Sequence, residues 1–596
     1  MIFLIFIFGL ISINVQCHQS TDSYLNHWVL VKPDIYTLFW NYTETDITME
    51  IHVKTNNWFM FGFSPNGTPD GSDVIMVWLN EDGSYHFSDR HIENNKVLTD
   101  KVQNWFAKDV FRQGPYLIAK FSRKLKICDS SKEDFDIVEG TPTVISAYGP
   151  GVFNENFDEN IRIADFHSIT FIQTQNQKID LSTPDIEIAD FRVNHTVIPG
   201  YHTLYYCQVF KLPSSWLNTT THIVKFETVV TPGNERYLHH MIVTECSPSY
   251  ENEYLKSNPE PRPGPCLSFH ESQPATEIVQ VGSMCNKQSM IWHVGGNYEV
   301  EYPADKGYPV GGEDGEFKYF MIELHYHNPD NLANIEDNSG IRFYATKKLR
   351  PIEFGVFTVG ALFDWNTILI PPGLENFENY YYFRKPCTDE ILGKSDQVNI
   401  FGTVFHTHAV GKLATAKVVR DNKEIDFIYK NEYFNGWKQD YQFFNKIVQL
   451  KRNDQIKLTC HYDTKEKTNY TMGGPSAYEE MCQMNTMYYP RNKYFSRCKE
   501  TFNFETWRIF LRSLDTFGDI KLINEDLREG FIPEDLLKAK LTPTLKNKIQ
   551  DFFINAVRTE MIYDYHYNLT EIHKNPPLKT IPIEEQKCSN KSFVDW

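Results

Sequence analysis

Short runs in which apolar and polar side chains alternate, bounded by Gly, Pro, Asn or Asp, recur along most of the chain. Period-two alternation marks a strand with one buried face, and Ile223 to Val229 and Phe401 to Val410 show it. Two runs are almost wholly apolar, Trp58 to Ser64 and Val74 to Trp78, and predict strands covered on both faces. Helical spacing of apolar residues appears near the C-terminus, in Asn503 to Ser513 and Pro543 to Arg558, where lysine also becomes more frequent. The pattern predicts a mostly β protein with a partly helical tail, without short-period repeats or low-complexity segments.

At 596 residues the chain exceeds one hydrophobic core. Residues 28–165 read as a first β-sandwich, and a polar stretch near 173–184 separates it from the rest of the chain. Two further β domains are expected at 186–348 and 349–501, with Pro351 and Pro371-Pro372-Gly373 punctuating the second. Residues 502–596 form the tail, expected to pack as helices or join a dimer contact. Residues 1–17 carry an uncharged apolar run too short to span a bilayer and read as a signal peptide, and no later stretch reads as a transmembrane anchor.

Of 11 cysteines, the ten left after Cys17 is removed are dispersed rather than set at zinc-finger spacing, which suits five disulfides and an oxidising compartment. Sequons at Asn41, Asn66, Asn194, Asn218, Asn469, Asn568 and Asn590 agree with that compartment. The chain is therefore expected in the secretory pathway, either secreted or in a vesicle or endoplasmic reticulum lumen. A net charge of −18 leaves no basic stripe to neutralise phosphates, which argues against a nucleic-acid partner.

The candidate chemistry lies in histidines. On a strand, residues two apart face one side, so His406 and His408 could address one ion while Thr407 points away. His325 and His327 share that spacing, whereas adjacent His239 and His240 need a twisted strand or different ring nitrogens to converge. Met481 adds a thioether, a soft donor that with imidazoles favours copper, particularly copper(I), over zinc, calcium or magnesium. The roughly even spacing of these residues suggests two sites, one per β domain. Isolated histidines such as His270, His293 and His461 read instead as surface or hydrogen-bonded structural residues. A zinc hydrolase is the competing reading, but no His-Glu-x-x-His motif accompanies the pairs.

Four strings carry a resemblance: Tyr237-Leu238-His239-His240-Met241-Ile242-Val243-Thr244-Glu245-Cys246, Glu323-Leu324-His325-Tyr326-His327-Asn328-Pro329, Phe405-His406-Thr407-His408-Ala409-Val410-Gly411, and Gly473 to Cys482 with Glu479-Glu480-Met481-Cys482 at its end. In this order they resemble the copper type II, ascorbate-dependent monooxygenases, most closely the dopamine β-hydroxylase-like branch. Gly71-Ser72-Asp73-Val74 and Trp78 resemble the DOMON domain that precedes the catalytic core in that branch. The implied architecture is a DOMON-like β-sandwich, two jelly-roll-like β-sandwich copper domains and the tail. The resemblance implies two copper ions per chain: His239, His240 and His325 at an electron-transfer copper, and His406, His408 and Met481 at the copper where dioxygen and substrate react. His327 then becomes a supporting residue. Ascorbate is implied as electron donor and dioxygen as co-substrate, and no motif marks where ascorbate binds. The resemblance also implies the disulfides Cys207–Cys266, Cys246–Cys285, Cys387–Cys498, Cys460–Cys482 and Cys128–Cys588.

The implied reaction is hydroxylation of a C–H bond in a small amine or aromatic substrate. Val404 and Asn485 stand where the peptide-amidating relatives place an arginine and a tyrosine for a peptide carboxylate, so a peptidylglycine-type substrate is disfavoured. The hydroxylases also usually place tyrosine at the second position, which leaves open a secreted copper-binding protein of the same fold without turnover. Tyr478, Glu479, Glu480 and Tyr488 are the nearby residues suited to an amine, each with a structural role as its plainer reading. Asp73 and Asp89 could bind an ion in the first sandwich, for which a scaffold or dimer role is preferred.

Overall fold

The computed structural model describes residues 20–583 apart from 33, 65–66, 81, 128–132, 150, 154–162, 173–178, 181–182, 259–262, 267–283, 313–316, 363, 522–533 and 565–568. The chain divides into two compact units, with the boundary at residues 172 and 173.

In the first unit a five-stranded and a six-stranded antiparallel sheet enclose a core. Strand Trp58–Phe63 pairs with Asp73–Leu79, and its side chains alternate: Phe59 and Phe61 enter the core with Ile75 and Val77, while Trp58 and Met60 join Val74 and Met76 on the other face. Both faces are covered, which is why the sequence shows no alternation there. Gly62 permits the close pairing, since a Cβ there would lie 1.9 Å from the Asp73 carbonyl oxygen.

The second unit contains two β-sandwiches in sequence. The first sets a sheet built on Ile186–Arg192, Gly340–Thr346, Thr221–Val229 and Lys306–Val310 against a sheet ordered Gly264–Pro265, Thr203–Lys211, Tyr319–His327, Leu238–Cys246 and Cys285–His293. Phe191, Phe226, Phe320, Phe343 and Trp292 fill its core, and Val356, Phe401 and Met487 of the following sandwich join the same apolar cluster. The second sandwich has a sheet ordered Gln442–Lys451, Gln397–His406, Gln483–Tyr489, Gly355–Ala361, Phe495–Thr501, Arg558–Asp564 and Leu569–Asn575. A four-stranded sheet of Phe377–Phe383, Gln455–Tyr462, Gly411–Arg420 and Lys423–Asn431 lies in the same domain.

The tail is part of this second sandwich. Helix Phe504–Thr516 begins where the Asn503 side chain accepts the Thr506 N–H at 2.9 Å, and Pro543 starts helix Pro543–Asn555 behind the Thr542 cap. Trp507, Leu511, Leu514, Ile549 and Phe553 enter the domain core at helical spacing. Helical periodicity does not announce the two C-terminal strands, Arg558–Asp564 and Leu569–Asn575, which extend the seven-stranded sheet. Buried Glu500 meets the first of them at Arg558, whose Nε is 3.8 Å away, and also pairs with Arg384, whose Nε is 3.2 Å away. Among the described residues no helix is long and apolar enough to cross a membrane.

This packing has two measurable consequences. Trp507 is 1% exposed with its ring 4.5 Å from Phe552, so Trp507→Ala should cost about 3–5 kcal/mol. Chemical unfolding measures this, and an unchanged midpoint would contradict an integral tail. Burial raises the Glu424 carboxyl, but hydrogen bonds from Lys417, Lys457 and Thr580 outweigh it and hold the group at about 2, against an ordinary 4.5. The stability it contributes is present above pH 4.5 and lost as the pH falls through about 2. Glu424→Gln should flatten that part of an acid-unfolding profile.

Candidate metal centres

His239 and His240 stand on strand Leu238–Cys246, whose pairing with Tyr319–His327 slips register between Leu238 and His240. This irregularity lets adjacent histidines converge, which an ideal strand would forbid. His240 pairs with His325 on one side and His293 on the other. The Nδ1 atom of His240 lies 3.4 Å from Nδ1 of His239 and 3.4 Å from Nδ1 of His325. Two nitrogens on one tetrahedral ion, each about 2.0–2.1 Å from it, stand roughly 3.4 Å apart, so the three Nδ1 atoms fit a single ion. All three rings are buried, and Nε2 of His240 and of His325 have no hydrogen-bond partner. Glu323 approaches His240 Nε2 at 3.5 Å, and Tyr205 stacks on His325 with centroids 4.2 Å apart. Burial, then repulsion from neighbouring imidazoles, holds His239 and His325 well below the ordinary histidine range, so their lone pairs stay free for a metal.

His406 is the last residue of strand Gln397–His406, and His408 lies beyond it. The expectation that one strand presents both is therefore corrected: the strand stops at His406 and a buried carboxylate positions His408. Glu480 accepts the N–H of His408 at 2.8 Å, of Val410 at 2.8 Å and of Met481 at 3.2 Å. One side chain thus ties the segment after the strand to the methionine. Burial nevertheless raises Glu480 to about 7.

The ring nitrogens can be assigned from their partners. Gln439 Nε2 donates to the carbonyl oxygens of Thr407 and Gly436, which turns its Oε1 to His406 Nδ1 at 2.6 Å. His408 Nδ1 donates to the Glu479 carbonyl at 3.0 Å. Both rings therefore carry hydrogen on Nδ1 and keep the Nε2 lone pair for a metal. Burial is also the main cause holding His408 down to about 4. Met481 is 7% exposed, with its carbonyl oxygen accepting from Tyr462 Oη at 3.0 Å and its sulfur 3.5 Å from Gln483 Nε2.

The two histidine sets come from different sandwiches and face each other. The His239 and His408 rings are 5.4 Å apart, and those of His240 and His406 are 6.2 Å apart. His293, read from sequence as an isolated structural residue, stacks on His406 at 4.2 Å, and neither of its buried ring nitrogens has a hydrogen-bond partner. Nothing in its local sequence marks it, nor Gln439, because both reach the site through long-range pairing. His327 stays outside the Nδ1 cluster, with its ring 5.0 Å from His202 and 5.5 Å from Tyr478. His461 hydrogen-bonds Asn376 through Nδ1 at 2.9 Å, and His270 lies outside the described residues.

The residues considered for substrate have other partners. Val404 pairs with Asn485 across the sheet, and Asn485 Oδ1 accepts from Thr358 Oγ1 at 2.6 Å. Glu479 Oε2 accepts the Ser476 N–H at 2.8 Å, and Tyr488 Oη accepts the Asn492 N–H at 3.1 Å. Only Tyr478 is largely exposed, stacked on His202 at 4.6 Å. In the first unit Asp73, Asp89 and Asp134 cluster, but the Arg123 guanidinium, 3.1 Å from Asp73, supplies the counter-charge.

Disulfides join Cys207 to Cys266, Cys246 to Cys285, Cys387 to Cys498 and Cys460 to Cys482. Cys128 and Cys588 lie outside the described residues, as do residues 1–17, Asn66, Asn568 and Asn590. Asn194, Asn218 and Asn469 are exposed, while Asn41 is partly buried and bonds Leu25 and Ser23.

Residues 189–333 match copper type II ascorbate-dependent monooxygenase, N-terminal domain, residues 352–510 match its C-terminal domain, and residues 32–149 match the DOMON domain. The chain is 28% identical over 491 residues to dopamine beta-hydroxylase of Rattus norvegicus, a match covering 81% of this chain and 75% of that protein. It is 26% identical over 486 residues to DBH-like monooxygenase protein 1 of Homo sapiens, covering 79% and 74% respectively.

The Glu480 contacts generate a direct expectation. Glutamine there has one acceptor oxygen and turns its amide N–H groups toward backbone donors, so Glu480→Gln should destabilise the apo protein by about 2–3 kcal/mol. It should also weaken metal binding by roughly 10–100-fold at the His408 and Met481 side alone. Unfolding and metal titration test the two effects, and normal affinity would remove the carboxylate from the site's support.

Proposed function

The chain belongs to the copper type II ascorbate-dependent monooxygenase family, and on that premise we propose that it hydroxylates a C–H bond of a small amine or aromatic substrate. His239, His240 and His325 would hold the electron-transfer copper in the first sandwich of the second unit. His406, His408 and Met481 would hold the copper at which dioxygen and substrate meet. Copper held there would supply one-electron redox chemistry, with two ascorbates as the reductant for dioxygen, one oxygen atom entering the C–H bond and the other leaving as water with two protons.

The observation that supports this most directly is the division of donor types and ring nitrogens. Three Nδ1 atoms 3.4 Å apart in successive pairs form one nitrogen set, whereas His406 and His408 keep Nε2 free and the thioether-bearing Met481 is tied to His408 through the Glu480 carboxylate. A soft sulfur donor favours copper(I), the oxidation state that reacts with dioxygen. Gln439 and the Glu479 carbonyl hold the two imidazoles in the tautomer that leaves Nε2 free. Burial of His325, His406 and His408 to 4% exposure or less keeps bulk water from the nitrogens. The first unit serves as a scaffold, and the four disulfides fit maturation in the secretory pathway.

The substrate reading rests on fewer residues. Val404 supplies no charge for a peptide carboxylate, and exposed Tyr478 beside His202 and His327 offers an aromatic face to a ring or ammonium. The purified protein should bind two copper ions and show ascorbate-dependent oxygen uptake stimulated by phenylethylamines rather than glycine-extended peptides, with the hydroxylated product read by mass. Met481→Ala should lower turnover by more than the roughly 10–100-fold produced by losing a supporting group. Copper binding without substrate-stimulated ascorbate oxidation would favour a binding protein over an enzyme, and absence of copper binding would sink both.

A further inference from the structure

Four neighbouring strands of the second sandwich place His406, Gln483, Gly360 and Lys499 in one transverse row. Gly360 has no side chain, and across it the Lys499 Nζ reaches Gln483 Oε1 at 2.6 Å. Lys499 is 2% exposed, and among the described residues no carboxylate pairs with it, so Gln483 is its hydrogen-bond partner. An ammonium or amine N–H directed at Gln483 requires the amide oxygen on that side. The amide N–H2 then faces the other way, where Met481 Sδ lies 3.5 Å from Nε2.

We propose that Lys499 and Gln483 are positioning residues that hold the Met481 thioether on the oxygen side of the site. The proposal rests on the reading of Met481 as a copper ligand. A methionine side chain has three rotatable bonds and packs in many shapes, so a buried backbone alone does not aim its sulfur. Here the backbone is held by Glu480 at the N–H and Tyr462 at the carbonyl, and the amide N–H of Gln483 engages one sulfur lone pair. The other lone pair stays available to a metal. The Lys499 N–H bond sets the direction of this contact, because rotating the amide would give up the Nζ to Oε1 bond and set oxygen against sulfur.

The plainer reading is that Gln483 merely satisfies a buried lysine. Gln483→Glu separates the two, since glutamate keeps the Lys499 partner but cannot donate to sulfur. Gln483→Leu and Lys499→Met remove the contact from either end. Because a thioether matters for copper(I) far more than for copper(II), the readouts are the copper–sulfur component in X-ray absorption of the ascorbate-reduced protein and the copper(I) affinity by chelator competition. Copper(II) affinity serves as the reference.

In Gln483→Glu and Gln483→Leu the copper–sulfur component should weaken, and copper(I) affinity should fall roughly 10–100-fold with copper(II) affinity within about threefold of the parent. Lys499→Met should move both in the same direction by a smaller factor. If Met481→Ala removes the sulfur component while both Gln483 variants retain it and bind copper(I) normally, the relay is overturned. A Gln483→Glu protein that behaves as the parent while Gln483→Leu does not would equally overturn it in favour of lysine satisfaction. If Met481→Ala leaves the X-ray absorption unchanged, the ligand reading itself fails, an outcome distinct from failure of the relay.

Discussion

A carboxylate surrounded by backbone N–H groups holds the centre of the second sandwich together. Glu480 is 1% exposed, and removing a charge from water to that extent costs several kcal/mol unless donors replace the hydration. Three N–H groups from His408, Val410 and Met481 supply them. Two candidate ligands from segments far apart in the chain thereby move as one rigid piece, although neither lies inside a strand. The neighbouring Glu479 completes the arrangement, its carbonyl facing His408 Nδ1 and its carboxylate closing the turn at Ser476. Precision at this site therefore comes from side-chain hydrogen bonds rather than from the sheet.

That division explains which parts could be read from the chain. Unbroken apolar runs predict Trp58–Phe63 and Asp73–Leu79 because burial on both faces writes itself into side-chain polarity, whereas the alternating run at Thr221–Val229 does form a strand but is buried on both faces, with Lys225 inside, and not on the one face that alternation implies. The histidine pairs are equally visible, since metal-binding residue types are rare enough to stand out. Hidden from local pattern are the register slip beside His239, the end of the strand at His406, and the contacts of Gln439 and His293. These depend on partners in other segments. The tail shows both sides: its helices are legible from spacing, whereas its final strands exist because a neighbouring sheet edge accepts them.

The candidate imidazoles and the neighbouring His293 ring form one buried group. Most buried polar atoms find partners, yet the Nε2 of His408 that would face a metal has no hydrogen-bond partner, and neither ring nitrogen of neighbouring His293 has one. Burial first, and then repulsion among the closely packed rings, opposes positive charge on His239, His293 and His406. Nitrogen donors that are neutral, dry and already oriented need little rearrangement to receive a cation. The shared apolar cluster of the two sandwiches, with the Tyr205 Oη to Pro475 carbonyl bond at 2.7 Å, keeps the two sets opposite one another.

The bond between Cys460 and Cys482 fixes the chain immediately beside Met481. Cys482 directly follows Met481, so the thioether is anchored to strand Gln455–Tyr462 once this bond has formed. Before closure the same two sulfurs are thiols, and as thiolates they are softer and stronger copper(I) ligands than a thioether. Copper arriving early would be drawn to them and would obstruct the crosslink that shapes its own site. For copper held at Met481, oxidative folding would therefore have to precede metal loading.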